Sequence, residues 1–443
     1  MSAKKLKIHF IGIGGIGVSA LAKYYLEKGH KISGSDIASG KHSPKNIPQS
    51  TDLVIYSPAV KSDNPEIKEA KRRKIKIQSY PEALGELTKN YFTIAVSGTH
   101  GKSTTTAMLG ILLLKAGLDP TVIIGTKVKE FENSNCRVGK GDETKVSSSS
   151  LADARESKYL VIEADEHFAS FLNYSPDIAI ITNIEADHLD YYKNLNNILK
   201  AFKKYVGHLP KDGLLIANKD DKNIRKIVGR GPASLIYYSG KQKEAKKLKK
   251  ILTVPGDHNV YNALAALATA RALKIPDKVS FKALSEYKGS WRRFEEKSLK
   301  VGKSKLKIIS DYGHHPTEIK ATLKAAREKY PKKKIWCVYQ PHQYQRTFYL
   351  FNDFVKVLRQ SQDKYLTDKI IITDIYDVAG REEKKIKKQV NSEKLAEITK
   401  KKNVIYLPKG KILGYIRKNA KEFDVLIIMG AGDIYKLVDS FGR

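Results

Sequence analysis

The segment SGTHGKSTTTAML (97–109) sets two glycines, a lysine and a run of hydroxyl residues between an apolar β-type run and a helical one. That order suits a polyphosphate. Gly98 and Gly101 let the backbone curl so that its N–H groups face an anion at a helix N-terminus. Lys102 offers charge for the β and γ phosphates, and the Ser103 hydroxyl can ligate magnesium. The usual pattern has a glycine five residues before Gly101; here that residue is Val96, so the loop is a shorter variant. A glycine turn with an incidental lysine accounts less well for strand, loop, GKS and helix in register, and the segment is read as a nucleotide site.

Carboxylates lie at two further strand ends. EADE (163–166) closes the run beginning at Tyr159, on the edge where open parallel sheets bind ligands, and a carboxylate there can hold Mg²⁺ near transferring phosphates. Asn183, Glu185, Asp187, His188 and Asp190 follow the next strand. Either cluster alone could be a solvated loop; together, beside the phosphate loop, they point to a site. His188 is read as a neutral metal ligand in preference to a loop histidine.

The elements that must position these groups alternate between short apolar runs and helical spacing, which predicts an α/β fold of three domains. Residues 1–90 open with a strand from Lys7, a glycine turn and a helix from Val18, then strands at 53–56 and 75–78. Residues 91–293 carry strands at 92–98, 159–165, 178–184 and 214–218, a P-loop ATPase-like parallel sheet covered on both faces. Residues 294–443 carry strands at 307–310, 334–340, 369–375, 403–407 and 424–430, a second Rossmann-like arrangement alongside the N-terminal one. The serine-bearing stretch 139–157 reads as a mobile loop without assigned chemistry.

A 443-residue chain with 41% hydrophobic and 29% charged residues can bury several cores and is not a disordered composition. The N-terminus imitates a signal peptide, but Gly12, Gly14, Gly15 and Gly17 interrupt its apolar run. No apolar run is long enough to span a membrane, and two cysteines make no disulfide framework. The excess of 81 Lys+Arg over 47 Asp+Glu, a formal +34, could attract polyanions, but most of it is lysine scattered over solvated faces.

Several separated segments resemble the Mur ligase family across nearly the whole chain: HFIGIGGIGVSALA (9–22), SGTHGKSTTTAM (97–108), EADE (163–166), TNIEADHLDYY (182–192), PGDHNVYNALAA (255–266), WRRFE (291–295), DYGHHPTEI (311–319) and QPHQYQRT (340–347). Within that family they are most similar to the branch acting on UDP-N-acetylmuramate and L-alanine. The resemblance implies ATP-dependent ligation of L-alanine to the sugar's carboxylate through an acyl phosphate, in peptidoglycan precursor synthesis. It implies ATP and Mg²⁺ as cofactors and a catalytic set of Lys102, Glu163, His188, His342 and Arg346. Metal ligands would be Ser103, Glu163 and His188.

By the same resemblance, ATP lies on Gly98, Thr99, His100, Gly101, Lys102, Ser103 and Thr104, with His258, Asn259, Asn262, Arg293, Asp311, Tyr312 and His315. PGDHN also reads as a helix cap in which Asp257 or Asn259 accepts backbone N–H groups. Gly14, Gly15, Ile16 and Gly17 become the pyrophosphate cradle of a UDP-sugar, with Asp36 and Ser57 as further contacts; GIGGIG by itself would equally fit a dinucleotide. His342 and Arg346 meet the amino acid's carboxylate. Closure of the third domain is expected to shield the acyl phosphate.

Three departures stand out. The segment Gly34 to Val60 is short by one strand and one helix, Gln343 stands where some relatives carry arginine, and the serine-rich insertion precedes EADE. Lys203 lies near the place of a carbamylated lysine that other branches use and this one is not expected to need. Three alternatives are carried: a related ligase adding a murein peptide to the same UDP-sugar; a nucleic-acid-stimulated P-loop ATPase, for which no interleaved aromatic and basic motif is present; and a catalytically weakened scaffold, which the shortened first domain suggests. The expected state is a cytoplasmic monomer or weak dimer without specific nucleic-acid binding or membrane insertion.

Overall fold

The computed structural model describes residues 4–140, 158–229, 234–301, 304–378 and 384–441. From 141 to 157 the serine-bearing stretch lies outside the described residues. The chain divides into two compact units: Met1–Glu185, Ile198–Leu248 and Tyr261–Tyr287 in the first, and Ala186–Asn197, Lys249–Val260 and Lys288–Arg443 in the second. The described residues form three sheets, and the fold is α/β with parallel-dominated sheets.

In the first unit, β1 (Lys7–Ile11), β2 (Lys31–Ser35), β3 (Leu53–Tyr56) and β4 (Lys76–Ser79) form a four-stranded parallel sheet of order β2-β1-β3-β4. Helices α1 (Ile16–Glu27), α2 (Pro65–Arg72) and α3 (Tyr80–Thr88) accompany it. α2 and α3 start at N-cap side chains, Asn64 and Ser79, each followed by a proline at the first turn, where its missing N–H costs nothing. The short segment flagged in the sequence is visible as a β2–β3 connection whose regular structure is one 3-10 turn, Pro44–Asn46.

The same unit holds a seven-stranded sheet built from β5 (Phe92–Ser97), β6 (Thr121–Val128), β7 (Ser134–Arg137), β8 (Tyr159–Glu163), β9 (Ile178–Ile181), β10 (Leu214–Asn218) and β11 (Ser234–Tyr238). Its order is β11-β10-β9-β5-β8-β6-β7, parallel except for the β6–β7 pair. The strand β5 therefore lies between strands reached by going opposite ways. That is a topological switch point, where the loops leaving neighbouring strands diverge and open a crevice at their carboxyl ends. Helix α4 (Lys102–Lys115) follows β5, and from Ser103 to Leu113 every residue is buried, so it is a core helix with no solvent stripe.

The second unit contains β12 (Glu295–Val301), β13 (Ser304–Asp311), β14 (Ile335–Tyr339), β15 (Lys369–Ile372), β16 (Val404–Tyr406) and β17 (Val425–Met429), in the order β12-β13-β17-β14-β15-β16. β12 pairs antiparallel with β13 and the remaining ladders are parallel. Strands β14 and β17 are buried at every position, matching their unbroken apolar sequences, and two apolar clusters cover the sheet, one containing Ile309, Leu323, Phe354 and Ile427, the other Ile308, Trp336, Ile412 and Leu426.

Five strands had no range in the sequence reading: β2, a half-exposed edge strand (KISGS), and β6, β7, β11 and β12. β7 (SNCR) and β12 (EEKSLKV) are polar edge strands, β11 is an edge strand exposed from Ser234 to Tyr237, and Gly125 and Lys127 break the apolar run of β6. An edge strand needs no continuous apolar run, because solvent takes the place of one neighbour.

Candidate functional site

The loop after β5 is held by the polar end of β9. Gly98 has φ 130, and a Cβ there would collide with Thr182 Oγ1 and lie 2.9 Å from the Asn183 carbonyl oxygen. Gly101, φ 82, is the N-cap of α4 and packs on the Asn262 side chain, which also lies 3.3 Å from Thr105 Oγ1. Only glycine tolerates both this conformation and this approach. Asn183 holds the loop from below: its Oδ1 accepts the His100 N–H at 2.9 Å and its Nδ2 donates to the His100 carbonyl at 2.9 Å. Thr182 Oγ1 donates to that carbonyl at 2.6 Å, and the Glu185 N–H donates to Thr99 Oγ1 at 2.9 Å.

Lys102 Nζ is 2.8 Å from the Gly98 carbonyl, 2.8 Å from Glu166 Oε2 and 3.7 Å from Asp165. Burial disfavours its charge, but Glu166, Asp165 and Glu163 outweigh that and keep the ammonium protonated. Ser103 Oγ donates to Glu163 Oε1 at 3.0 Å, while Glu163 Oε2 accepts the Gly125 N–H at 2.8 Å. A hydroxyl and a carboxylate oxygen side by side are hard donors, the kind that magnesium takes. The first unit thus assembles a helix N-terminus, a protonated lysine and a hard-oxygen pair at one strand edge, and Asn262 joins them. The sequence reading missed Glu166 as the lysine's partner and Asn183 as the loop's anchor, though both lie inside motifs it singled out.

At the glycine turn of the first sheet, the Gly12 and Ile13 N–H groups donate to the Ser35 carbonyl at 2.7 and 3.1 Å. Asp36, expected to touch uridine or ribose, accepts the Gly14 and Ala38 N–H groups, each at 2.9 Å, so its carboxylate also shapes the turn. Gly15 is the N-cap of α1, Ile16 and Gly17 form its first turn, and Gly17 packs on Tyr80. Ser57 closes the next turn, its Oγ accepting the Ala59 N–H at 3.3 Å.

The second unit gathers His188, His258, Asn259, Arg293, Asp311, Tyr312, His315, His342 and Arg346. Arg346 Nε lies 2.9 Å from Asp187 Oδ1 and its Nη2 lies 3.2 Å from Oδ2, a buried two-pronged pair. Its Nη1 is 3.2 Å from His342 Nδ1, and burial holds His342 well below the ordinary histidine range. His188 adopts φ 51, with its backbone N–H on Asp187 Oδ1 at 2.8 Å. Asp187, His188 and Arg346, together with Gln343, which has φ 71, border a small cleft. Burial likewise lowers His314 to about 4, so it is neutral near pH 7.

Several expected nucleotide contacts have internal partners. His315 is the N-cap of helix Pro316–Lys329: its Nδ1 accepts the Thr317 N–H at 3.3 Å and its Nε2 lies 3.2 Å from the Ala186 carbonyl, which fixes the proton on Nε2. Asp311 accepts the Phe294 and Gly313 N–H groups and the Thr322 hydroxyl. Asp257 takes Lys249 at 2.6 Å and Lys324 at 2.7 Å, and Asn259 Nδ2 donates to the Pro255 carbonyl at 2.7 Å, so neither of these bonds is the cap anticipated for PGDHN. The Tyr312 ring is flanked by the guanidinium groups of Arg292 and Arg293, each 4.8 Å from its centroid. Arg292, unremarked in the sequence, is buried and donates to the Gly430 and Gly432 carbonyls.

Comparison with known proteins matches residues 7–92 to the Mur ligase family catalytic domain, 96–270 to the Mur ligase middle domain and 292–432 to the Mur ligase glutamate ligase domain. The UDP-N-acetylmuramate–L-alanine ligase of Acetivibrio thermocellus is 39% identical over 476 residues, covering 98% of this chain and 95% of that protein. The enzyme of the same name from Aquifex aeolicus is 38% identical, covering 98% and 97%. Among solved structures, the UDP-N-acetylmuramate-alanine ligase of Thermotoga maritima aligns with TM-score 0.74 at 28% identity, covering 98% of each chain. A murein peptide ligase from Psychrobacter arcticus shares the fold, with TM-score 0.69 at 23% identity over 99% of each chain.

Proposed function

The chain belongs to the Mur ligase family, and on that premise we propose that it joins L-alanine to the carboxylate of UDP-N-acetylmuramate with conversion of ATP to ADP and phosphate. The observation that carries this reading is the set Lys102, Ser103 and Glu163 at the α4 N-terminus, one strand edge built for a triphosphate and a hard cation. The three-way division at 1–90, 91–293 and 294–443 is our proposal for which part binds which substrate.

The sugar's carboxylate attacks the γ phosphorus in line; the bond to the β–γ bridging oxygen breaks, and acyl phosphate and ADP form. The amine of L-alanine then attacks the acyl carbon, loses a proton, and expels phosphate. Activation is required because a free carboxylate is a poor electrophile. Lys102, kept charged by its carboxylate neighbours, trades Glu166 for phosphate oxygens as ATP settles on the loop N–H groups. Ser103 and Glu163 are the residues that would hold Mg²⁺, with His188 assigned to a second ion; bound there, the metal neutralises charge on the transferring phosphoryl group. Arg346 uses three of its five N–H donors on Asp187 and His342, which leaves donors for the amino acid's carboxylate.

Neither the murein-peptide reading nor the nucleic-acid-stimulated ATPase is favoured by any residue described above. No described helix is long and apolar enough to cross a membrane; a cytoplasmic monomer or weak dimer is our proposal. Calorimetric titration with UDP-N-acetylmuramate tests the substrate directly, and ADP release with L-alanine, glycine, L-serine and a murein tripeptide tests the amine. Binding of the UDP-sugar with L-alanine as preferred amine is expected. No binding, or preference for the tripeptide, rejects the assignment.

A further inference from the structure

The first sheet contains a buried polar cluster that the reaction above does not use. Glu66, the second residue of α2, is fully buried, yet its carboxylate gathers five donors from three other parts of the fold. His9 Nε2 from β1 lies 2.9 Å and Ser35 Oγ from the end of β2 lies 2.7 Å from Oε2. His42 Nδ1 at 2.8 Å, Asn46 Nδ2 at 2.9 Å and the Ser43 N–H at 3.3 Å, all from the short β2–β3 connection, meet Oε1. His9 is equally buried and its Nδ1 is 2.9 Å from Ser33 Oγ, so the ring is fixed at both nitrogens. Burial would raise the Glu66 carboxyl, but hydrogen bonds from His9, Ser35, Asn46 and His42 outweigh it and hold it at about 2.

Ser35 is the pivot. Its hydroxyl donates to Glu66, its carbonyl accepts the Gly12 and Ile13 N–H groups, and the next residue, Asp36, accepts the Gly14 N–H. The turn therefore leans on Ser35, whose hydroxyl Glu66 holds from behind, and on Asp36 next to it in the chain. The connection following them lacks a long helix that could stiffen it, and its only regular turn ends at Asn46, itself a Glu66 ligand. We propose that Glu66 is a positioning residue for the UDP-sugar: it sets the affinity for the nucleotide pyrophosphate by holding Ser35 and Asp36 under the glycine turn, without touching the substrate. The role rests on the reading of GIGGIG as the UDP-sugar cradle.

Glu66→Gln keeps the volume but removes the negative charge and replaces one acceptor oxygen with an NH2 donor, so the groups on that side must reverse their hydrogen bonds or lose them. For the full chain, the expected result is a KM and a calorimetric Kd for UDP-N-acetylmuramate raised about tenfold, while KM for ATP and L-alanine and kcat change less than about twofold. A cluster that merely stabilises the domain would lower kcat and active fraction alike and leave the KM values in place; that outcome, or an unchanged Kd, overturns the proposal. Ser35→Ala, which retains the carbonyl and removes one donor, is the second variant: about a threefold rise in the same Kd is expected, and no rise overturns the proposal even if the Glu66 variant fails to fold. A parent chain that binds ATP but not the UDP-sugar overturns the functional reading itself, and with it this role.

Discussion

Arg346 and Asp187, 159 residues apart in the chain, meet through two nitrogens and two oxygens with both side chains almost wholly shielded from water. Burial alone would raise the Asp187 carboxyl; Arg346, with His188 and His315, holds it well below the ordinary carboxylate range. Breaking such a pair leaves a buried charge without compensation. Arg346→Ala is expected to cost about 3–5 kcal/mol in urea unfolding of the second unit, and Arg346→Met with Asp187→Leu is expected to cost less than the sum of the single changes. Simple additivity would reject the coupling.

Lys102 is the cation at the α4 N-terminus, already braced by the Gly98 and Thr99 carbonyls and Glu166. Lys102→Ala should lower substrate-dependent ADP release by at least about 100- to 1000-fold with the fold intact by circular dichroism. Turnover close to that of the parent would remove the lysine from the reaction.

Glu163 joins Ser103 to the Gly125 backbone. Glu163→Gln should move the magnesium dependence of ADP release to concentrations about tenfold higher or more, since one hard anionic donor is lost. An unshifted magnesium titration would place the ion elsewhere.

Gly98 and Gly117 separate conformation from contact. Both have positive φ, but a Cβ at Gly98 meets Thr182 and Asn183 whereas one at Gly117 meets open space. Gly98→Ala should therefore raise KM for ATP at least about tenfold on top of a strain of about 1–3 kcal/mol, while Gly117→Ala shows only the left-handed backbone cost of about 1–2 kcal/mol. Equal effects of the two on ATP would contradict the packed loop.

The Glu66 carboxyl, held at about 2 in the folded chain against 4.5 for the free group, gives a signed pH dependence. Its contribution is complete above the unfolded value and is lost as pH falls from about 4.5 toward 2, because the unfolded chain takes up the proton first. The difference in urea midpoint between the parent and Glu66→Gln should shrink as pH is lowered from about 6 to about 3. A constant difference would mean that the cluster does not stabilise the ionised form.

How far this could be read from the sequence depended on distance along the chain. SGTHGKS announced itself because a strand, two glycines and a helix start are local, and EADE because it ends a run of apolar residues; the structure puts both on one edge of the seven-stranded sheet. His315 was placed at ATP only through the family resemblance, and the hydrogen bond it accepts from the Thr317 N–H shows that one ring nitrogen also caps a helix. The apolar strands were evident, whereas β7 and β12, polar and at sheet edges, carried no periodic signal.

The sequence by itself determined the phosphate loop, the parallel α/β character and the family resemblance, since glycine conformation, helix starts and buried strands are encoded over a few neighbouring residues. Tertiary structure alone decided which charges are spent on each other: Lys102 with Glu166, Arg346 with Asp187, and Glu66 with His9, His42, Ser35 and Asn46. The physical reason is that a carboxylate's worth depends on burial and on donors delivered by strand order, and both are set by segments tens to more than a hundred residues apart.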